Sequence, residues 1–568
     1  MPLQRLGSKL VLHNDTVLHT YLEELKYKID NLPVLSDSLI VHPKDYGVIG
    51  DGVTDDTAAM QACIADAKLK GRGVLLAGSK TFLLSVLSVM EGVKVFGDGI
   101  ATIKRKPNVT GDFISMSHRS GLYNVRIDGN KSKQSLEPAS ALIRIGDSDD
   151  VTVMKCNISG ANSYGMVINT GSRATVFQNT VEDVYQQGLA IYSSAADHYH
   201  YINDNTFRLL GWGAISMQYA NRSVVSKNKC YGTFLGGRGK RQYVDGDGTR
   251  IVRLRAGDDF SSLRAGNFLV IDGGGEFRIT RVIDNVTIEV DREVRSFQGF
   301  QALTGTGDLI GVQSCWNVDV DDNQMFNTTT FGFGGGTMVG ATGAMHYCRF
   351  RNNRVEGCGK NGFNLGQMGD FVVGNCYVTG NILRNVGQGG DAVGAQDKSG
   401  INLHFGKAGY MSNIILGGNV TESYYDAQDK GQTSVWLHLT GNPTAGSVLL
   451  GDNWSVGCAN SYILGDIISI ETSGWGSESK WTSYISYGKG CSVTISTAGT
   501  GQLANPHFTI TKACIPSQTN FVMAQMTTSN VGLMTAWGTQ LSQIGVWKCH
   551  VLGTPAASGI MEFNLVGV

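Results

Sequence analysis

Three carboxylates set the chemistry this chain could do. Asp319 and Asp321 stand two residues apart in the run VDVDDN, and Glu356 stands three residues past Asn353 in the repeat that follows. On an extended strand, residues two apart point the same way at roughly 6.6–6.8 Å. Hydrolysis of a glycosidic bond takes two carboxyl groups about 5–9.5 Å apart, one to protonate the leaving oxygen and one to activate water or attack the sugar. Asp319, Asp321 and Glu356 are therefore the candidate acid, base and substrate-orienting group, with individual roles open. Glu182 and Glu356 fail as a pair, because four repeats at ~4.8 Å separate them by about 19 Å. Arg349 and Arg351 hold the offsets of the two aspartates one repeat later. Guanidinium groups there either grip an acidic sugar or pair with Asp319 and Asp321 as an ordinary ion-pair ladder. Tyr231 and Trp316 could offer ring faces to sugars or fill core. His404, alternating with apolar neighbours in INLH, is a surface hydrogen-bonder or a base. With Arg349 and Arg351 it would serve the alternative chemistry, β-elimination on a uronate. Asp183, Asp391 and Asp397 are further carboxylates.

These residues act together only if the chain stacks them. After residue 150 it repeats a unit of alternating apolar strand, asparagine, apolar position two residues on, and glycine before the next strand. VFQNTVEDVYQQGLAIY and FRNNRVEGCGKNGFNLG are examples. The markers are Asn157, Asn179, Asn205, Asn228, Asn323, Asn353, Asn381, Asn419 and Asn453, spaced by 22, 26, 23, 95, 30, 28, 38 and 34. A period of this length signals a solenoid, and two-residue alternation without a leucine ladder leaves a parallel β-helix. Like positions then form columns up a wall. Positions three before and two after each marker, such as Val176 and Val181, should point inward. Position three after it should point outward, giving Glu182, Arg208, Tyr231, Phe326, Glu356, Arg384 and Glu422. Asparagine suits the corner because it tolerates left-handed backbone and can form ladders.

The 95-residue gap marks an insertion, where residues 236–306 turn to charged hairpin patterns. Beyond residue 456 the marker disappears, and Ser/Thr/Gly-rich strands with Trp475, Trp481, Trp537 and Trp547 suggest a β-sandwich, for trimer closure or sugar binding. Leu18, Leu22, Leu25, Ile29 and Leu32 form a short heptad seam. The expected parts are a stem (1–40), a β-helix (41–235 and 307–455, with a capping segment at 41–76), an inserted antiparallel β domain (236–306) and a C-terminal β-sandwich (456–568).

With 75 glycines against 9 prolines the chain is neither collagen-like nor disordered. A formal net charge of −1 gives no field for nucleic acid or an anionic membrane surface. The 11 cysteines lack C-x-x-C pairs and fit reduced core thiols. The N-terminus lacks the charged and apolar regions of a secretion signal. Asp319 to Thr330 departs from a calcium loop at Gln324 and Thr330, and His198 and His200 have no third zinc ligand nearby. No cofactor and no metal are expected.

The segment DYGVIGDGVTDDTAAMQACIADAKLKGRGVLL (Asp45 to Leu76), continued by FGDGIATIKRK, resembles the opening of the pectate-lyase-like β-helix superfamily found in phage tailspikes and capsule depolymerases. Read from its residues, Asp55 or Asp56 caps a helix from about Thr57 to Lys70, and Ala58, Ala59, Ala62, Cys63 and Ala67 form an apolar face that seals the solenoid end. The resemblance implies a homotrimeric virion tail protein, made in the host cytoplasm and acting at the host surface. Such a spike would bind a bacterial surface polysaccharide and cleave it by hydrolysis or elimination. It would attach through the stem to another tail protein. A non-catalytic adhesin is the competing reading, and a cellular pectinase-like enzyme the weakest.

Overall fold

In the computed structural model, the structure describes residues 39–456 apart from segments of which the longest are 233–240, 337–343, 366–371, 388–397 and 423–432. From 460 to 567 it describes strands only. The heptad seam, Asp391 and Asp397 lie outside the described residues.

Three long parallel sheets form the body, together with a shorter parallel sheet of four strands, Ala344–His346, Val372–Gly374, Tyr410–Ser412 and Thr444–Ala445. The first wall has 13 strands, running from Ile40–Val41 through Asp319–Asp321 and Arg349–Arg351 to Val448–Leu450. The second wall, also 13 strands, runs from Asp51–Asp55 through Gln324–Thr328 and Arg354–Cys358 to Trp454–Val456. The third has 12, from Leu87–Val89 to Asn460–Gly465. Each coil visits the walls in turn, so every strand pairs with its counterpart one coil away. The inward columns are as the repeat predicts: Val176, Ile202, Val225, Val320 and Phe350 on the first wall and Val181, Phe207, Cys230, Met325 and Val355 on the second are all buried.

The asparagines sit differently from the expectation. Side chains from Asn179, Asn205, Asn228, Asn323, Asn353, Asn381, Asn419 and Asn453 form one continuous ladder, buried up to the half-buried Asn453. In it each Oδ1 accepts both the backbone N–H and the Nδ2 of the asparagine one coil below. Asn157 is not a member. It pairs with Thr180, and Cys156 occupies the ladder position, its N–H donating to Asn179 Oδ1 at 2.9 Å. Nor do the ladder residues take the left-handed conformation. That falls to the preceding residue: Gln178, Asp204, Lys227, Asp322 and Asn352, with φ of 54–56°, and Gly380 and Gly418, with φ of 67° and 66°. The reason is a division of labour: one residue turns the corner, and the next satisfies the backbone groups that the turn strips from the sheets.

The ladder passes straight from Asn228 to Asn323, so the intervening chain leaves and rejoins without disturbing the stack. That chain forms a closed six-stranded antiparallel barrel, Arg241–Asp247 to Ser296–Leu303, with its own core of Val244, Val252, Phe277, Ile288 and neighbours. The last strands, Ser469–Ser473 to Gly559–Gly567, form an eight-stranded antiparallel sheet.

The helix Thr57–Lys70 packs on the first strands of the walls. Asp55 accepts the Thr57 N–H at 3.0 Å, while buried Asp56 accepts those of Ile49 and Gly50. The buried stripe is Met60, Cys63, Ile64 and Ala67; Ala58 and Ala62 face solvent. The predicted face was turned by about one residue, because alanine is too small to reveal which side of a helix is covered.

Candidate functional site

The first wall brings Asp319 and Asp321 onto one outward face, with Arg349 and Arg351 directly opposite on the next coil. Arg349 Nε and Nη2 donate to the two Asp319 oxygens, the second at 2.8 Å, and Nη2 also reaches Asn317 Oδ1 at 3.3 Å. Arg351 binds Asp321 in the same forked manner at 3.0 and 2.6 Å, and lies 3.8 Å from Asp319. Both carboxylates are mostly covered, at 17% and 18% exposure. Burial raises the Asp321 carboxyl above the ordinary range; Arg351 opposes this and the Asp319 charge reinforces it. The face therefore carries two close, forked Asp–Arg pairs, one on each residue of the strand that points outward.

Glu356 is not on this face. It belongs to the second wall, beyond the corner made by Asn352 and Asn353, and its carboxylate pairs with Arg354 at 2.8 Å. The expected trio is thus a pair on one wall and a single glutamate on the next, since columns on either side of a left-handed corner face different ways. Around Glu356 the predicted outward column is in register: Glu182 opposes Arg208, Tyr231 opposes Phe326, Phe326 opposes Glu356, and Arg384 opposes Glu422. Arg208 pairs with Glu182 at 2.6 Å and Arg384 with Glu422. Tyr231 and Phe326 stack at 5.2 Å and 15°, with the Arg354 guanidinium 5.8 Å from the Phe326 ring. Tyr231 lies just before the inserted barrel, so this aromatic step stands where the barrel leaves the wall.

Trp316 sits at the corner leading into the first wall, half-buried, with Arg222 4.3 Å over its ring. His404 is in the third-wall strand Ser399–Phe405, opposite His438; its side chain lies outside the described residues.

One group is larger than the sequence suggests. Asp183 accepts a hydrogen bond at 2.5 Å from Lys131, whose side chain is only 5% exposed. Burial, followed by the charge of Asp128, pushes the Asp183 carboxyl up to about 6. No pattern pointed to Lys131, because it arrives from a one-turn helix, Lys131–Lys133, two coils away. Among the described residues no three His, Cys, Asp or Glu side chains are grouped to hold a metal ion. None of the described helices is long and apolar enough to cross a membrane.

Residues 72–203 and 141–246 match the family of the right handed beta helix region. A mannuronan C5-epimerase of Azotobacter vinelandii, AlgE1, is 26% identical over 224 residues, covering 34% of this chain and 15% of the epimerase. The capsule K30/K69-specific depolymerase 1 of Klebsiella phage K5-2 is 30% identical over 143 residues, covering 22% of this chain and 18% of the depolymerase. The chain thus spans less than a fifth of either relative. Among solved structures, the Dettilon tailspike protein gp208 superposes with a TM-score of 0.50 at 12% identity, over 94% of this chain and 96% of that one. Strand pairing and family match together make the body of this chain a right-handed parallel β-helix.

Proposed function

We propose that the chain is a phage tailspike that binds a bacterial surface polysaccharide and cuts it by hydrolysis at the first-wall carboxylates. The observation that carries this reading is the pairing of Asp319 and Asp321 on one strand face. Their spacing of roughly 6.6–6.8 Å lies within the range two cooperating carboxyl groups need. Asp321, whose proton affinity burial raises, is the proton donor to the leaving oxygen. Asp319, gripped in a fork by Arg349, is its partner in the reaction. Arg349 and Arg351 exchange part of their pairing with the aspartates for an acidic group on the incoming sugar. Glu356, Tyr231 and Phe326 form a separate binding step around the corner, and Trp316 and His404 contribute contacts on other edges. The resemblance of the opening segment to tailspikes and the likeness to the Klebsiella phage depolymerase support the same reading. In this reading the spike is a homotrimer on the virion tail, joined to another tail protein through its N-terminal stem, and needs no cofactor.

The test is Asp321→Asn and Asp319→Asn in the full chain, assayed for shortening of purified capsular polysaccharides. Loss of a general acid typically lowers the rate about 10²–10⁴-fold. Reducing ends without ultraviolet-absorbing products identify hydrolysis, and unsaturated products identify elimination instead. Cleavage unchanged in both variants removes the assignment of the pair.

A further inference from the structure

The corner that leads into the first wall is turned by one left-handed residue per coil. Over eight successive coils these are Arg119, Asp150, Arg173, Tyr199, Arg222, Asn317, Tyr347 and Asn375, with φ between 52° and 58°. Pairing one strand later fixes their alignment: Tyr201 opposes Val224, Val224 opposes Asp319, Asp319 opposes Arg349, and Arg349 opposes Tyr377. Glycine or asparagine takes this conformation readily, whereas a bulky aromatic there is an outlier. Asn317 and Asn375 obey that preference. Arg119, Arg173, Arg222, Tyr199 and Tyr347 do not, and of these the two tyrosines present large rings that stand about half exposed, at 51% and 49%. Large exposed rings held on such backbone are positions at which to look for a ligand contact.

What surrounds the two rings indicates the kind of ligand. Arg222 lies between them, its guanidinium 5.8 Å from the Tyr199 ring and 4.3 Å from that of Trp316, and it pairs with exposed Asp197 at 2.7 Å. Trp316 meets Tyr347 edge-on at 6.3 Å. We propose that Tyr199, Arg222, Trp316 and Tyr347 form a ridge that binds a short oligosaccharide laid along the solenoid axis. Tyr199 and Tyr347 are three coils apart, about 14 Å at ~4.8 Å per coil, enough for several sugar contacts in line. Ring faces alternating with a guanidinium, a carboxylate and the Asn317 amide suit a ligand whose apolar C–H faces alternate with hydroxyls. A seam against a second copy of the chain would deplete carboxylates such as the exposed Asp197 from its centre. The ridge deepens the polysaccharide reading and rests on it. It lies at the corner beside the carboxylate face, so it would hold the polymer that the face cuts.

The test uses the full-length chain with Tyr199→Asn, Tyr347→Asn and the double variant. Binding is measured against a panel of purified bacterial capsular polysaccharides, with dextran as a neutral control. Asparagine already occupies this column, so the variants should unfold no more easily than the parent. The double variant is expected to bind the recognised polymer at least 10-fold more weakly and to raise KM by more than it lowers kcat. Unchanged affinity in the double variant overturns the ridge. So does a change in oligomeric state, which would make it a seam between chains. A parent chain that binds no polymer of the panel overturns the polysaccharide reading itself, and the ridge with it.

Discussion

Asn323 and Asn157 look alike in the repeat, yet the structure gives them unequal weight. Asn323 is fully buried. Its Nδ2 donates to Val225 O at 2.9 Å and to Asn353 Oδ1 at 3.0 Å, and its Oδ1 accepts the Asn228 N–H and Nδ2, both at 3.0 Å. Asn323→Ala removes these four bonds, at about 1 kcal/mol each, and leaves the buried Asn228 N–H facing a methyl group. The expected loss is roughly 4–5 kcal/mol. Asn157 lies half-buried outside the ladder, and Asn157→Ala should cost less than about 0.5 kcal/mol. Large chains often unfold irreversibly, so the informative assay is the unfolding rate in guanidinium, followed by fluorescence. If the ladder is broken at the barrier, Asn323→Ala speeds unfolding about 10³-fold, since each 1.36 kcal/mol is tenfold in rate. Equal acceleration by the two substitutions, or less than about twofold for Asn323→Ala, would refute the ladder as the source of stability.

Three further outcomes can be checked. Ala67→Lys puts a charge under the capping helix and should abolish soluble folded protein, whereas Ala62→Lys on the exposed side should change the thermal midpoint little; circular dichroism separates them. His200 is buried and its Nδ1 accepts the Ala174 N–H at 3.3 Å. Burial, then the neighbouring His198, holds it down at about 3 against an ordinary 6.5. Between those values the unfolded chain binds the proton and the folded one does not, so the stability present above pH ~6.5 is lost as pH falls toward 3; His200→Gln should flatten that slope in unfolding measured against pH. Replacing residues 233–306 by a short flexible linker removes the barrel but keeps the Asn228–Asn323 step, so solenoid unfolding should stay within about threefold of the parent. A large acceleration would mean that the barrel braces the wall.

Much of this architecture could be read directly. Alternation of period two, with one asparagine per repeat, placed the inward columns at Val176, Val181 and their equivalents, and the outward column from Glu182 to Glu422. The shift at Asn157 was not readable, because the adjacent Cys156 carries no pattern that marks it as the ladder position. The change of wall between Asp321 and Glu356 was equally hidden, since sequence spacing does not tell on which side of a corner two residues will face.

By itself the sequence determined the solenoid, the position of the insertion and the helix that opens the fold, because all three rest on local periodicity and turn chemistry. Only the tertiary structure decided which charges meet: that Arg349 and Arg351 fork onto Asp319 and Asp321, that Lys131 reaches Asp183, and that Tyr199, Arg222, Trp316 and Tyr347 share one edge. Those contacts join residues tens of positions apart, and their geometry follows from coil length and corner angle, which vary from repeat to repeat and leave no mark in the pattern of any single one.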